Sequence, residues 1–270
     1  MSRRVVLITG AARGQGRSHA LRFAEQGADL VLIDVCANDP HIPFDMASAD
    51  ELAQTTKDAQ AFGATVISAQ ADVRRGGEMR AVVDQVESTF GRLDVVVANA
   101  GAYAFGPMSS LEIDDDRWEA VVGTNLTGVF NTVRATAPLM IRGGHGGSIV
   151  LVSSSAARRG LRSMADYTAS KHGVVGLMRT FANELGEHSI RVNSVAPTGV
   201  ETYMITNPAI QQWYAENPTM LENETGNILP VGMLQADDIT DAVVWLASDG
   251  AKFVTGVDLP VDAGFREVTP

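Results

Sequence analysis

Short apolar runs and longer amphipathic stretches alternate along this chain from one end to the other. Strand-like runs rich in β-branched residues fall at residues 4–9, 29–34, 65–71, 93–98, 147–153, 191–195 and 254–261. Helical periodicity fills the intervals at residues 17–26, 49–62, 76–90, 115–141, 165–187 and 237–247. Runs such as Val5-Val6-Leu7-Ile8 and Val95-Val96-Val97 are apolar at every position. A strand of that kind is covered on both faces, as in a parallel sheet with helices above and below. The pattern predicts a single-domain α/β Rossmann fold, a doubly wound sheet of seven parallel strands joined by right-handed crossovers.

Two segments depart from the alternation. Residues 35–48 carry Pro40 and Pro43 and delay the helix that should follow the second strand. Residues 201–235 hold three prolines and the aromatic pair Trp213-Tyr214. Loops this long in a compact domain are usually functional. The first is read as an insertion and the second as a lid over the substrate, with Trp213, Tyr214, Met220 and Leu221 as its apolar face.

Composition narrows the function classes. The chain has 270 residues, which is one large domain or two small ones, and no linker or repeat marks a boundary. The charge of −11, from 21 basic against 32 acidic residues, excludes the basic stripe that nucleic acid requires. One cysteine, Cys36, rules out an internal disulfide and a multi-cysteine zinc site, and packing is its expected use. The five histidines are scattered without a metal-ligand spacing, so no metal is expected. No apolar stretch approaches the roughly 18 residues of a membrane span, and the N-terminal apolar run is too short for a signal peptide. A cytoplasmic protein is the expectation.

Chemistry enters at the first strand–helix junction. Thr9-Gly10-Ala11-Ala12-Arg13-Gly14-Gln15-Gly16 places three glycines where a backbone can turn tightly against a pyrophosphate at a helix N-terminus. Asp34 ends the second strand, 18 residues past Gly16, where a carboxylate can accept from the adenosine ribose hydroxyls and repel a 2′-phosphate. Arg13 argues the other way, since a guanidinium in the turn can pair with that phosphate. Asp34 is in line with the ribose and Arg13 is expected to point to solvent, so NAD is expected rather than NADP.

Tyr167 and Lys171 stand four residues apart on one helix face, and Ser154 closes a strand 13 residues upstream of Tyr167. An ammonium beside a phenol favours the phenolate and brings its titration toward working pH. Tyr167 can then exchange a proton with a substrate oxygen that Ser154 holds by a hydrogen bond.

With these residues in hand, the chain resembles the short-chain dehydrogenase/reductase family over essentially its whole length. The turn matches the family's T-G-x-x-x-G-x-G. The resemblance implies that Asp72 and Val73 contact the adenine ring. It also implies that Asn99, Ala100 and Gly101 belong to the N-N-A-G stretch, whose first Asn is Ala98 here. Asn125 would complete a tetrad with Ser154, Tyr167 and Lys171 by holding a water that links Lys171 to solvent, while Lys171 also holds the nicotinamide ribose. Pro197, Val200 and Thr202 fall where the family binds the nicotinamide carboxamide, although Thr198 replaces the usual glycine after the proline. Tyr103 and Phe105 are expected at the pocket rim.

Three further features, Gly14-Gln15-Gly16-Arg17-Ser18-His19, the segment from Asp34 and the stretch Val254 to Gly264, resemble the carveol dehydrogenase-type subgroup. That likeness implies tightly held NAD and electrons passed to an external carrier of the mycofactocin type. It also implies a homotetramer and secondary alcohols, terpenoids such as carveol among them, interconverted with their ketones. Two rival readings remain at this stage, an NADP-dependent ketone reductase and a sensor that binds NAD without chemistry.

Asp114-Asp115-Asp116 opens a predicted helix, and stabilising the helix dipole is preferred to a cation site there. His172, next to Lys171, is expected to face away from it.

Overall fold

The computed structural model describes residues 3–106, 109–218 and 226–265. Seven parallel strands form one sheet in the order β3-β2-β1-β4-β5-β6-β7. They are β1 (Val5–Thr9), β2 (Asp29–Asp34), β3 (Val66–Gln70), β4 (Val95–Ala98), β5 (Gly147–Val152), β6 (Ile190–Pro197) and β7 (Asp258–Val261). The helices are α1 (Gly14–Glu25), α2 (Ala49–Gln60), α3 (Gly76–Phe90), α4 (Asp115–Val122), α5 (Gly128–Gly143) and α6 (Ala165–Leu185). Three more follow: α7 (Tyr203–Thr206), α8 (Pro208–Glu216) and α9 (Ala236–Ala247).

The continuous apolar strands have the expected cause. Alternate residues of β1 supply different cores: Leu7 packs with Val31, Val96 and Ile149 under α3, α5 and α6. Val6 and Ile8 pack with Leu30, Val97 and Phe23 under α1, α2 and α9. Each fully buried aliphatic side chain contributes about 1.5–3 kcal/mol, so the two layers hold the sheet rigid from both sides. Strand order reverses between β1 and β4, which opens a crevice at the carboxyl ends of the strands.

Three predicted elements come out differently. The helix expected over 115–141 is broken by a π-turn, Gly123–Thr127, because Gly128 passes so close to Val73 that a Cβ there would lie 2.5 Å from its Cγ2. The last strand begins at Asp258 rather than 254, since Asn193 donates to the carbonyl of Val254 and accepts from the N–H of Val257. Residues 201–235 are not all loop. Asn207 caps α8 by accepting from Ile210 N at 3.0 Å, and Pro208 occupies its first turn. The ends of that excursion are pinned by Glu201 N–H to Leu234 O at 2.8 Å and Leu234 N–H to Gly199 O at 2.9 Å. The lid residues Met220 and Leu221 lie outside the described residues.

Residues 35–48 form no helix or strand, yet they are braced. Asn38 accepts from Met46 N at 2.8 Å and donates to Asp45, and Ser48 opens α2 with a reciprocal capping box to Glu51. Asp114 likewise caps α4, accepting from Arg117 N at 2.8 Å, so the acidic triplet does helix-terminal work.

Candidate active site

The glycine turn sits where β1 meets α1. Thr9 Oγ1 accepts from the N–H groups of Asn99 and Ala100, and Asn99 Nδ2 donates back to the carbonyls of Thr9 and Gly10. These bonds stitch the ends of β1 and β4 across the crevice. Gly10 and Gly14 have positive φ, and a Cβ on Gly16 would lie 2.0 Å from the carbonyl oxygen of Gly10. Only glycine lets the chain close this tightly. Helix α1 has neither a side-chain cap nor an acidic residue in its first turn, so its amino end is open to an anion. Beside this cradle the buried side-chain oxygen of Gln15 has no hydrogen-bond partner among the described residues. The cradle, the uncapped helix end and that orphaned atom fit a dinucleotide.

Asp34 is 8% exposed at the end of β2 and accepts from Ala12 N at 3.0 Å. Burial pushes its carboxyl above the ordinary aspartate value, opposed by backbone donors and by Arg13. Arg13 does not point to solvent as expected. Its Nη2 donates to Asp45 O at 2.5 Å, its Nη1 lies 3.7 Å from Glu51, and its guanidinium covers the Tyr203 ring at 4.3 Å. The insertion and α7 hold this guanidinium, because both fold over the turn.

Asp72 is also engaged. Arg74 bridges it at 2.8–2.9 Å and reaches Asp39 of the insertion at 2.7 Å, tying residues 35–48 to the adenine end of the crevice.

Ser154, at the end of β5, is 8% exposed and accepts from Ala156 N at 3.1 Å. Tyr167 and Lys171 lie on α6 as the spacing predicts. Lys171 is 4% exposed, donates to Val152 O at 2.9 Å and stands 5.6 Å from the centre of the Tyr167 ring. Burial pushes its ammonium down from 10.5 to about 8. The side chain of Asn125, in the π-turn, is spent: it exchanges hydrogen bonds with both backbone groups of Ala102 and donates to Ser170 Oγ. Its main-chain carbonyl is therefore the part of Asn125 suited to a water. His172 is turned away from Lys171, its ring bonded to Thr168 O at 2.9 Å.

One cavity of about 270 Å³ runs past the glycine turn, Asp34, Asp72, Ser154, Tyr167 and Lys171. Every predicted cofactor residue except Gly16 lines it, Pro197, Val200 and Thr202 included, as does Ser154, while Asn125 stands behind the lining. Among the described residues, its walls beyond Tyr167 are Tyr103, Leu161, Met164, Met204, Ile205 and Phe265, none of them charged. Of the four expected pocket residues, Tyr103 lines the cavity. Phe105, Trp213 and Tyr214 instead stand behind it in a chain of ring contacts, Tyr103–Phe105 at 6.4 Å, Phe105–Trp213 at 5.7 Å and Trp213–Tyr214 at 5.3 Å. The lining residues Leu161, Met164, Met204 and Ile205 carry no sequence signal beyond being apolar near the right motifs.

A dinucleotide cradle and a Ser-Tyr-Lys cluster on one Rossmann crevice define a nucleotide-linked oxidoreductase scaffold. Comparison with known proteins agrees. Residues 10–266 match the family model described as enoyl-(acyl carrier protein) reductase. The (−)-trans-carveol dehydrogenase of Rhodococcus erythropolis is 46% identical over 267 residues, 96% of each chain. A short-chain dehydrogenase from Mycobacterium paratuberculosis solved bound to NAD superposes with a TM-score of 0.92 at 44% identity, covering 98% of both chains. The carveol dehydrogenase of Mycobacterium avium in complex with NAD gives 0.93 at 41%, again over 98% of both. The chain belongs to the short-chain dehydrogenase/reductase family.

Proposed function

We propose that this protein interconverts a small, uncharged secondary alcohol and its ketone with NAD as cofactor. The observation that carries the reading is the Tyr167–Lys171 pair at the junction between a dinucleotide cradle and an apolar pocket. The glycine turn holds the pyrophosphate, Asp34 accepts from the adenosine ribose, and Asp72 with Val73 borders the adenine. Asn99, Ala100 and Gly101 form the floor, and Pro197, Val200 and Thr202 border the carboxamide. When bound, the nicotinamide supplies the hydride acceptor. Tyr167 takes the proton from the substrate oxygen, Ser154 donates a hydrogen bond to that oxygen, and Lys171 stabilises the phenolate. Asn125 holds the water that connects Lys171 to solvent. NAD is favoured over NADP because Asp34 occupies the ribose end and Arg13 is committed to Asp45, Glu51 and Tyr203.

The apolar lining that the described residues give the substrate end suits a compact apolar alcohol, and carveol, named for two relatives, is the first compound to try. Tyr167→Phe tests the mechanism: carveol oxidation should drop about 10²–10⁴-fold, the usual worth of a general acid–base, with NAD content unchanged. Near wild-type turnover in that variant would sink it.

Tight retention of NAD is supported by the insertion, which meets α7 over the turn through Phe44–Tyr203 and Arg13–Asp45 contacts. A resident cofactor is reoxidised in place, and an external electron carrier of the mycofactocin type would take its electrons. A homotetramer in the cytoplasm completes the reading. Two separate apolar faces support that assembly, Trp118 with Phe130 on one side and Trp245, Phe253 and Val257 on the other, each 36–91% exposed.

A further inference from the structure

Arg117 is a charged side chain that none of these roles uses, yet it is 7% exposed and sits behind the cavity lining, one residue removed from Tyr167 through Asp166. From α4 its Nε donates to Asp166 Oδ2 at 2.8 Å, and Nη2 reaches Oδ1 at 3.5 Å. The same Nη2 donates to the carbonyl of Ala104 at 3.0 Å and lies 3.5 Å from that of Ser163. Asp166 is fully buried and accepts, on Oδ1, the main-chain N–H of Tyr167 at 2.8 Å. One guanidinium thus joins the first turn of α6, the backbone leading into it and the segment that carries Tyr103. The Tyr103 ring stands edge-on to Tyr167, 5.6 Å between centres at 86°.

This tie governs how Tyr167 is held. Helix α6 begins at Ala165, and Met164 before it provides no side-chain cap. Ser110 Oγ accepts from Ala165 N at 3.3 Å, and Asp166 accepts from Tyr167. Ser163, just upstream, has a φ of +64°, which a non-glycine residue keeps only where its surroundings impose it. Charge matters as well. A carboxylate one residue from Tyr167 opposes a phenolate, and the Arg117 guanidinium cancels it. Other groups also face Tyr167 among the described residues. Lys171 lies on its own helix and Ser154 at the end of β5. Tyr103 comes from the loop after β4, and Tyr214 of α8 lies in the same cluster with the uncharged Met204, Ile205 and Trp213. The insertion contributes Ile42, Phe44 and Met46, all uncharged.

We propose that the Arg117–Asp166 pair is a positioning device for the reaction inferred above, fixing Tyr167 against Tyr103 and neutralising the adjacent carboxylate so that Lys171 sets the protonation of the phenol. The proposal rests on Tyr167 as the acid/base group. Its test is a phenolate absorbance titration of the NAD-loaded protein. Subtracting the matching Tyr167→Phe protein isolates Tyr167 from the other three tyrosines. Arg117→Gln should raise the Tyr167 midpoint by about one pH unit, and the near-isosteric Asp166→Asn should lower it by a similar amount. Arg117→Lys should return most of the shift, and the pH–rate profile for carveol should move in step. Shifts in the same direction, or a midpoint unmoved in folded variants, would overturn the proposal. So would a loss of turnover without any change in titration. If Arg117→Gln fails to fold, Asp166→Asn and Arg117→Lys carry the same comparison. The titration needs no turnover, so opposed shifts in a protein inactive on every alcohol would support the pair and count only against the substrate reading.

Discussion

Lys171 shows most directly how a single residue couples function to stability. Burying its ammonium pushes the folded value down to about 8 from 10.5. The unfolded chain therefore binds more protons between those two values, and stability rises with pH across that window. Below pH 8 the burial cost is present in full, on the order of 3 kcal/mol. Lys171→Met in the NAD-free protein should accordingly raise the thermal midpoint at pH 7, and the gain should shrink from pH 8 to 10.5. The same variant should lose alcohol oxidation. Thermal unfolding across pH checks the first expectation, and a variant less stable than wild type at pH 7 would refute it. Asp34 makes a second residue-scale case. Asp34→Ala removes the carboxylate that would accept from the ribose and repel a 2′-phosphate. NAD affinity should fall and the preference over NADP should narrow by about tenfold or more, read by calorimetry with each nucleotide.

Between elements, His19 locks α1 to α9. It is fully buried, its Nδ1 lies 2.8 Å from Thr240 Oγ1, and its Nε2 has no partner among the described residues. Burial pushes its value down to about 3 from 6.5, against the attraction of Asp237. The folded state thus binds fewer protons in that window, and stability falls as pH drops from 6.5 toward 3, by on the order of 5 kcal/mol in total. His19→Asn keeps a donor for Thr240 and should flatten the slope of thermal midpoint against pH between those limits. An unchanged slope would locate the acid sensitivity elsewhere. Nothing in the sequence marks His19 as buried, and this divides what was legible from what was not. Strands apolar at every position announced a doubly covered sheet, and the order of glycine turn, Asp34, Ser154 and Tyr167–Lys171 announced the crevice. The π-turn at Gly123–Thr127 was hidden because helical periodicity runs through it. Its causes, Val73 against Gly128 and Ala102 bonded to Asn125, are distant in sequence. The shortened β7 and the Arg117–Asp166 pair were hidden for the same reason. Asn207-Pro208 did carry a helix-start signal, masked by the polar residues around it. The aromatics at 103, 105, 213 and 214 do cluster, but which ring faces the cavity depends on side-chain directions that spacing does not determine.

At the scale of the molecule, the two departures from strand–helix alternation meet. Residues 35–48 and α7 come from opposite flanks of the sheet and close over the glycine turn, where Arg13 joins them. Its guanidinium bonds Asp45 O, approaches Glu51 and covers Tyr203, whose ring in turn meets Phe44 edge-on at 6.4 Å. Arg74 adds a second anchor by gripping Asp39 and Asp72 together. A nucleotide bound beneath this roof would leave as the contacts part, so their loss should act on the dissociation rate more than on the fold. Arg13→Ala breaks the shared member while leaving the cradle glycines intact. The purified wild-type protein, examined by native mass spectrometry without added cofactor, should carry NAD, and Arg13→Ala should carry much less and exchange it about tenfold faster or more. If Arg13 instead served a 2′-phosphate, the variant would lose NADP binding and keep its NAD. The two outcomes separate a clasp on the bound cofactor from a selector of which cofactor binds, and the commitment of the guanidinium to Asp45 and Tyr203 favours the clasp.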